Sequence, residues 1–194
     1  MNSEPRIGLF GGSFDPVHLG HLLVAQAARE ELALDRLIFI PAAQSPLKPD
    51  SKPTSAGERL QLLRLALAGK SWCGIDDQEL QRGGVSYTID TVRDYARRFA
   101  GAEIFYLIGT DHVAKLPQWR EAAELADLAE FVVMPRPGES EAPFPKPFRG
   151  RVLQGYPFEV SSSQIRARVR GGLPVDHLLP AAVAEAVRNN QLYL

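Results

Sequence analysis

Residues 7–40 read as strand, glycine turn, helix, strand, and that order constrains the chain more than any other feature. Ile7-Gly8-Leu9-Phe10 is a short apolar run that ends in Gly11-Gly12-Ser13. From Leu19 to Leu34 the pattern is helical, carried by Leu22, Leu23, Ala25, Ala27, Ala28 and Leu32. Leu37-Ile38-Phe39-Ile40 is a second apolar run, stopped by Pro41. Two buried strands joined through one helix by short connections open a parallel sheet.

The rest of the chain continues the alternation. Residues 41–53 hold four prolines and form a loop. Ser55 to Leu67 is an amphipathic helix with Leu60, Leu63 and Leu67 on one stripe. A third strand is expected at Ile75, a helix over 86–98, and the strongest strand at Ile104–Ile108, ending at Gly109. A short helix over 121–127, a strand at 131–134, a proline-rich, lid-like loop over 135–150 and a strand at 151–153 follow. Helices over 162–169 and 181–189 close the chain. The expected fold is α/β, a doubly wound, mostly parallel Rossmann-like sheet. One domain spans 1–194, with a small helical part at roughly 161–194.

Composition removes several function classes. With 194 residues, 45% hydrophobic and 23% charged, the chain can bury a full core. A net charge of −1 offers no global field for nucleic acid. The single cysteine, Cys73, lies in an apolar run and excludes an internal disulfide or a Cys-rich zinc site. No apolar run approaches the ~20 residues that span a bilayer, and Met1 to Arg6 has no leader pattern. A cytoplasmic protein without membrane contact is expected, and a homo-oligomer is left open.

The segment Gly11-Gly12-Ser13-Phe14-Asp15-Pro16-Val17-His18-Leu19-Gly20-His21 stands where ligands bind in open α/β sheets. Gly11 and Gly12 let backbone approach a ligand closely. The start of the following helix favours anions. His18 and His21, three apart, put two imidazoles on one face. Such a pair suits phosphate oxygens and the charge that builds on a leaving pyrophosphate. A metal reading lacks a third ligand and the H-E-x-x-H spacing. Gly69-Lys70-Ser71 ends like a P-loop, but position 64 is Arg and the tripeptide follows a helix.

These residues resemble a known family. Gly12 to His21 is similar to the signature of the H-x-G-H nucleotidyltransferases, and Val160-Ser161-Ser162-Ser163-Gln164-Ile165-Arg166 resembles their second signature. Ser86-Tyr87-Thr88-Ile89-Asp90-Thr91 and Leu107-Ile108-Gly109-Thr110-Asp111, followed by Leu116-Pro117-Gln118-Trp119, are similar to elements of bacterial nicotinate-mononucleotide adenylyltransferases. The stretch Pro41 to Lys48 departs from the family's P-N-x-x-P-P-H-[KR] pattern. Its asparagine falls on alanine, in Ala42-Ala43, and its histidine on Leu47.

The resemblance implies transfer of AMP from ATP to nicotinate mononucleotide. It also implies a Mg²⁺ ion carried mainly by the ATP phosphates, with no dedicated metal ligands on the protein. Implied catalytic residues are His18, His21, Arg166 and Lys48. For ATP they are Gly11, Gly12, Ser13, Phe14, His18, His21, Gly109, Asp111, Ser162, Ser163, Ile165 and Arg166. For the mononucleotide they are Tyr87, Thr88, Asp111, Trp119 and Arg136. The rival readings are a phosphopantetheine adenylyltransferase and a non-catalytic nucleotide-binding regulator.

Overall fold

A computed structural model describes residues 4–46, 53–134, 143–156 and 158–194. The elements run β1 (Arg6–Gly12), α1 (Leu19–Glu31), β2 (Arg36–Pro41), α2 (Ala56–Leu67), β3 (Cys73–Ile75), α3 (Gln78–Arg82), α4 (Thr88–Arg98) and β4 (Glu103–Ile108). Then come α5 (Thr110–Val113), a 3₁₀ turn (Leu116–Gln118), α6 (Ala122–Leu128), β5 (Glu130–Val133), β6 (Gly150–Val152), α7 (Ser162–Arg170) and α8 (Ala181–Asn189).

The six strands form one sheet in the order β3-β2-β1-β4-β5-β6, and every neighbouring pair is parallel. β1 and β4 lie side by side at the centre, with Phe10 opposite Phe39 on one side and Leu107 on the other. Side chains alternate between two cores, as the two-residue period of a strand requires. Phe39, Phe105, Leu107 and Val132 pack with Ala25, Ala28, Leu62, Leu63, Ile165, Val183 and Val187 from α1, α2, α7 and α8. Leu9, Ile40, Ile104, Tyr106 and Phe131 pack on the opposite face with Ile89, Val92 and Leu125 from α4 and α6. Helices therefore cover both faces, and strands buried on both sides read as the continuous apolar runs seen in the sequence.

The sheet is wholly parallel, as a doubly wound Rossmann-like fold requires. Two local differences from the sequence reading have clear causes. α1 ends at Glu31 because Ala33 takes a left-handed turn (φ 49°), and the Leu34 N–H bonds the Arg29 carbonyl. The helix expected from Ser86 starts at Thr88 and is preceded by the separate α3, because Gly83 and Gly84 both have positive φ (68° and 65°). Among the described residues, no helix is long and apolar enough to cross a membrane.

Candidate active site

From β1 the chain winds outward to β2 and β3, and from β4 it winds the opposite way to β5 and β6. The β1/β4 pair is thus the switch point, and a crevice opens beyond its carboxyl ends. A cavity of about 400 Å³ occupies it, a size suited to a small ligand. Gly11, Gly12 and Ser13 form one wall and Gly109 another. A Cβ on Gly11 would run into the Tyr106 hydroxyl, so glycine is what leaves room there. Tyr87, Thr88, Trp119 and Arg120 close the outer side.

Past this wall lies the histidine pair. His18 caps α1 in extended conformation, and its N–H donates to His21 Nδ1 at 3.2 Å. That bond makes Nε2 the proton-bearing nitrogen of a neutral His21 ring. The two rings lie 3.7 Å apart, tilted by 30°. His21 is backed by Phe14, whose ring meets it edge-on at 5.0 Å. Phe14 is buried against Phe10 and Phe39, at a positive φ of 47°. Gly20 leaves room for the same packing, since a Cβ would fall 3.0 Å from His18 Nδ1 and oblige the ring to shift.

The second signature lies against this turn. The Ser162 hydroxyl donates to the Pro16 carbonyl at 2.9 Å, and Arg166 Nη1 donates to the Asp15 carbonyl at 2.7 Å. Arg166 Nη2 also donates to Ser163 Oγ at 3.3 Å. Arg166 and the start of α7 are thereby fixed to the Asp15-Pro16 turn that leads into His18 and His21. A guanidinium and two imidazole donors carried on segments so joined suit a polyanion.

Other expected site residues divide as follows. The N-cap of α7 is Ser161, which accepts from the Gln164 N–H, so Ser162 and Ser163 are the first two residues of the helix. Ile165 is fully buried and its N–H is given to the Ser161 carbonyl, so its side chain packs in the core beneath the site. Phe14 likewise acts from beneath. Asp111 is exposed outside the cavity wall, with one carboxylate oxygen turned toward Gly109. Trp119 is half-buried, edge-on to Phe131 at 6.0 Å, and its indole N–H has no hydrogen-bond partner among the described residues. Lys48, Leu47, Arg136 and the 135–142 half of the loop over 135–150 lie outside the described residues.

The structure adds residues that the sequence reading lacks. Arg59 is 2% exposed and donates to the carbonyls of Ser13 (2.7 Å), Ala42 (2.8 Å) and Thr54 (3.0 Å). It ties the turn after β1 to the loop after β2, and burial lowers its pKa. Arg120 lays its guanidinium 4.8 Å from the centre of the Tyr87 ring, at the cavity wall. Glu79, 3% exposed, reaches the same cavity from α3. None has a local sequence signal, because each is recognised only by what it meets from distant segments.

Comparison with known proteins bears on the family and the fold. The cytidylyltransferase-like family matches residues 9–168. A Gemmatimonas aurantiaca protein named "Probable nicotinate-nucleotide adenylyltransferase" is 42% identical over 195 residues, covering 97% of this chain and 92% of its own length. A protein of the same name from Opitutus terrae is 40% identical over 197 residues, 97% of each chain. The solved structure of Plasmodium falciparum nicotinic acid mononucleotide adenylyltransferase complexed with NaAD matches with a TM-score of 0.82 over 98% of each chain. At 17% identity that likeness speaks to the fold.

Proposed function

Because the chain belongs to the cytidylyltransferase-like family, and within it to the nicotinate-nucleotide adenylyltransferases, we propose that ATP and nicotinate mononucleotide bind end to end across the switch point of its sheet. The enzyme joins AMP to the mononucleotide, yielding nicotinate adenine dinucleotide and pyrophosphate in NAD biosynthesis. The names of the relatives set aside the phosphopantetheine alternative and the non-catalytic regulator.

One observation supports the site assignment most directly: the α7 start bonds the Asp15-Pro16 turn, which ties Arg166 to the segment that carries the stacked His18/His21 pair. The ATP triphosphate fits the cationic end. The pyridine ring fits the cavity end, between Tyr87 and Trp119, whose π-faces suit a cationic ring. Thr88 and the α4 N-terminus fit its carboxylate.

The 5′-phosphate of the mononucleotide attacks the α-phosphorus of ATP. A P–O bond forms, the α–β bridging bond breaks, and its electron pair leaves on pyrophosphate. The attacking phosphate is already ionised, so no proton need be removed. Catalysis is then positioning and charge stabilisation. His18, His21 and Arg166 donate to the phosphates as charge moves toward the leaving group. Lys48 and Arg136 are further cations proposed from the motifs alone.

Mg²⁺ enters as MgATP. Among the described residues no group of three or more His, Cys, Asp or Glu side chains is arranged to hold a metal. Asp15 is the carboxylate in contact with Arg166, and its oxygens already accept from Tyr193 and Thr54.

The test is pyrophosphate release from MgATP with nicotinate mononucleotide, nicotinamide mononucleotide or 4′-phosphopantetheine as acceptor. The nicotinate acceptor should give the highest kcat/KM. Turnover with 4′-phosphopantetheine alone would overturn the assignment.

A further inference from the structure

α2 buries one stripe, Arg59, Leu62, Leu63, Ala66 and Leu67, and its first member is the exception. An apolar residue would extend the stripe, whereas a guanidinium shut away from water is costly unless its donors are used. Arg59 makes three bonds, all to neutral backbone oxygens. Nε donates to the Thr54 carbonyl at 3.0 Å, and Nη1 to those of Ser13 at 2.7 Å and Ala42 at 2.8 Å. Two of these partners are themselves tied to the turn after β1. The Ala42 N–H donates to the Gly12 carbonyl at 2.9 Å, and the Thr54 N–H to Asp15 Oδ2 at 3.2 Å. Gly12, Ser13 and Asp15 are thus held, directly or through one residue, by a single buried side chain.

Two consequences meet at this turn. The Ser13–Phe14 peptide is trans, so its carbonyl and its N–H point opposite ways. A carbonyl drawn to Arg59 turns the Phe14 N–H away from it and fixes the peptide from which Phe14 enters its left-handed conformation. The Phe14 ring is what backs His21. Ser13 and Ala42, for their part, line the cavity, and Arg59 does not. One side chain outside the cavity therefore sets two of its wall residues and the support of the histidine pair at once.

We propose that Arg59 is a positioning residue for the transfer step: by clasping the carbonyls of Ser13 and Ala42 it keeps the acceptor cavity and the histidine end in the register that brings the two substrates together. This rests on the adenylyl-transfer reading above and deepens it, since the register matters only with both substrates bound. A defect in it falls on kcat rather than on the binding of either substrate.

Pyrophosphate release with MgATP and nicotinate mononucleotide varied in turn tests it, at a temperature where circular dichroism shows the variants folded. Arg59→Lys keeps the charge but offers one nitrogen in place of a planar fork. It should lower kcat roughly tenfold or more, with each KM within about threefold of wild type. Arg59→Met, which fills the stripe and bonds no carbonyl, should lower kcat roughly a hundredfold or more. Leu63→Val weakens the same face of α2 without touching these bonds, and should lower Tm while kcat stays within about twofold. Wild-type kcat in Arg59→Lys, a loss carried mainly by either KM, or an equal fall of kcat in Leu63→Val would overturn the proposal. If Arg59→Met does not fold, Arg59→Lys and Leu63→Val decide the matter. A wild-type enzyme that gives no pyrophosphate with nicotinate mononucleotide would instead defeat the substrate assignment, and the same comparison would be read with the acceptor it turns over.

Discussion

Replacing Gly20 with alanine probes the phosphate end by adding one methyl beside one imidazole. Gly20 is the second residue of α1, and its φ is not positive, so the backbone accepts a side chain. In a helix interior alanine is favoured over glycine by roughly 0.8–1.0 kcal/mol, and the first turn gains less. The new Cβ would stand 3.0 Å from His18 Nδ1, 3.1 Å from its Cε1 and 3.5 Å from Phe158 Cδ1. The last is ordinary contact, but the first two oblige the ring to give by a few tenths of an ångström. His18 is only 6% exposed, so the ring turns within packed surroundings, at about 0.5–1.5 kcal/mol if driven off its rotamer. The two stability terms nearly cancel, and Tm should stay within about 4 °C of wild type. The catalytic effect has no such offset. An imidazole aimed at phosphate oxygens loses alignment, and kcat should fall at least ~10-fold, about 1.4 kcal/mol of barrier. Pyrophosphate release at saturating substrates reads kcat, and thermal melting reads Tm. In a His18→Ala background, itself expected to lower kcat by at least ~100-fold, Gly20→Ala should cost nothing more. Full turnover in Gly20→Ala, or the same loss in both backgrounds, would refute the reasoning.

Arg166→Lys keeps the charge but not the two-armed contact to the Asp15 carbonyl and Ser163 Oγ. It should lower kcat ~10-fold or more with Tm changed by less than about 3 °C, measured by the same pair of assays. Arg120→Gln removes a cation from the cavity wall beside Tyr87. It should reduce kcat/KM for nicotinate mononucleotide by several-fold and leave nicotinamide mononucleotide nearly unchanged, read as a fall in the ratio of the two. Burial raises the pKa of Glu79 above the ordinary 4.5, outweighing the hydrogen bonds from Thr91 and Ser86 and the nearby charge of Arg82. A carboxyl with a raised folded-state pKa contributes stability fully below its unfolded pKa, and that contribution is lost as pH rises through the folded value. Glutamine has no proton to lose. The Tm of Glu79→Gln minus that of wild type should therefore increase between pH 4 and pH 7; a difference that is flat or falls with pH would contradict the sign.

What could be read from the sequence was what is local. The run from Ile7 to Ile40 carried strand, turn and helix in its own pattern, and Gly11, Gly12, His18 and His21 sit in it where the structure has them. The cavity residues Tyr87, Thr88 and Trp119 came from motif resemblance rather than periodicity. Arg59 and Glu79 were illegible for one reason. Each sits in a short stretch of charged and polar residues that reads as a solvated helix face, yet each is buried by partners outside its own helix. Arg59 reaches Ser13, 46 residues away, and Glu79 accepts from Thr91, 12 residues on. α3 itself has five residues, too few for a helical period to register. The start of α7 at Ser162, by contrast, was legible, since the serine run before Gln164 and Ile165 carries its own cap chemistry, with Ser161 as the cap.

Asp15 shows why two signatures so far apart belong together. Its Oδ1 accepts the Tyr193 hydroxyl at 3.1 Å and its Oδ2 the Thr54 N–H at 3.2 Å, while its backbone carbonyl takes Arg166 Nη1 at 2.7 Å across 151 residues. Burial and the Asp15 charge together raise the pKa of Tyr193, which keeps its proton as donor. The carboxylate itself stays 3.9 Å from Arg166 Nη1. A direct two-oxygen pairing would turn the guanidinium inward and neutralise it, as such forks do. Contact through the neutral carbonyl fixes the direction of the side chain while leaving much of its charge to act on a phosphate. Spending the carboxylate oxygens on Tyr193 and Thr54 thus holds the buried acid to a single 3.9 Å contact with the cation that the site depends on, short of a two-oxygen fork.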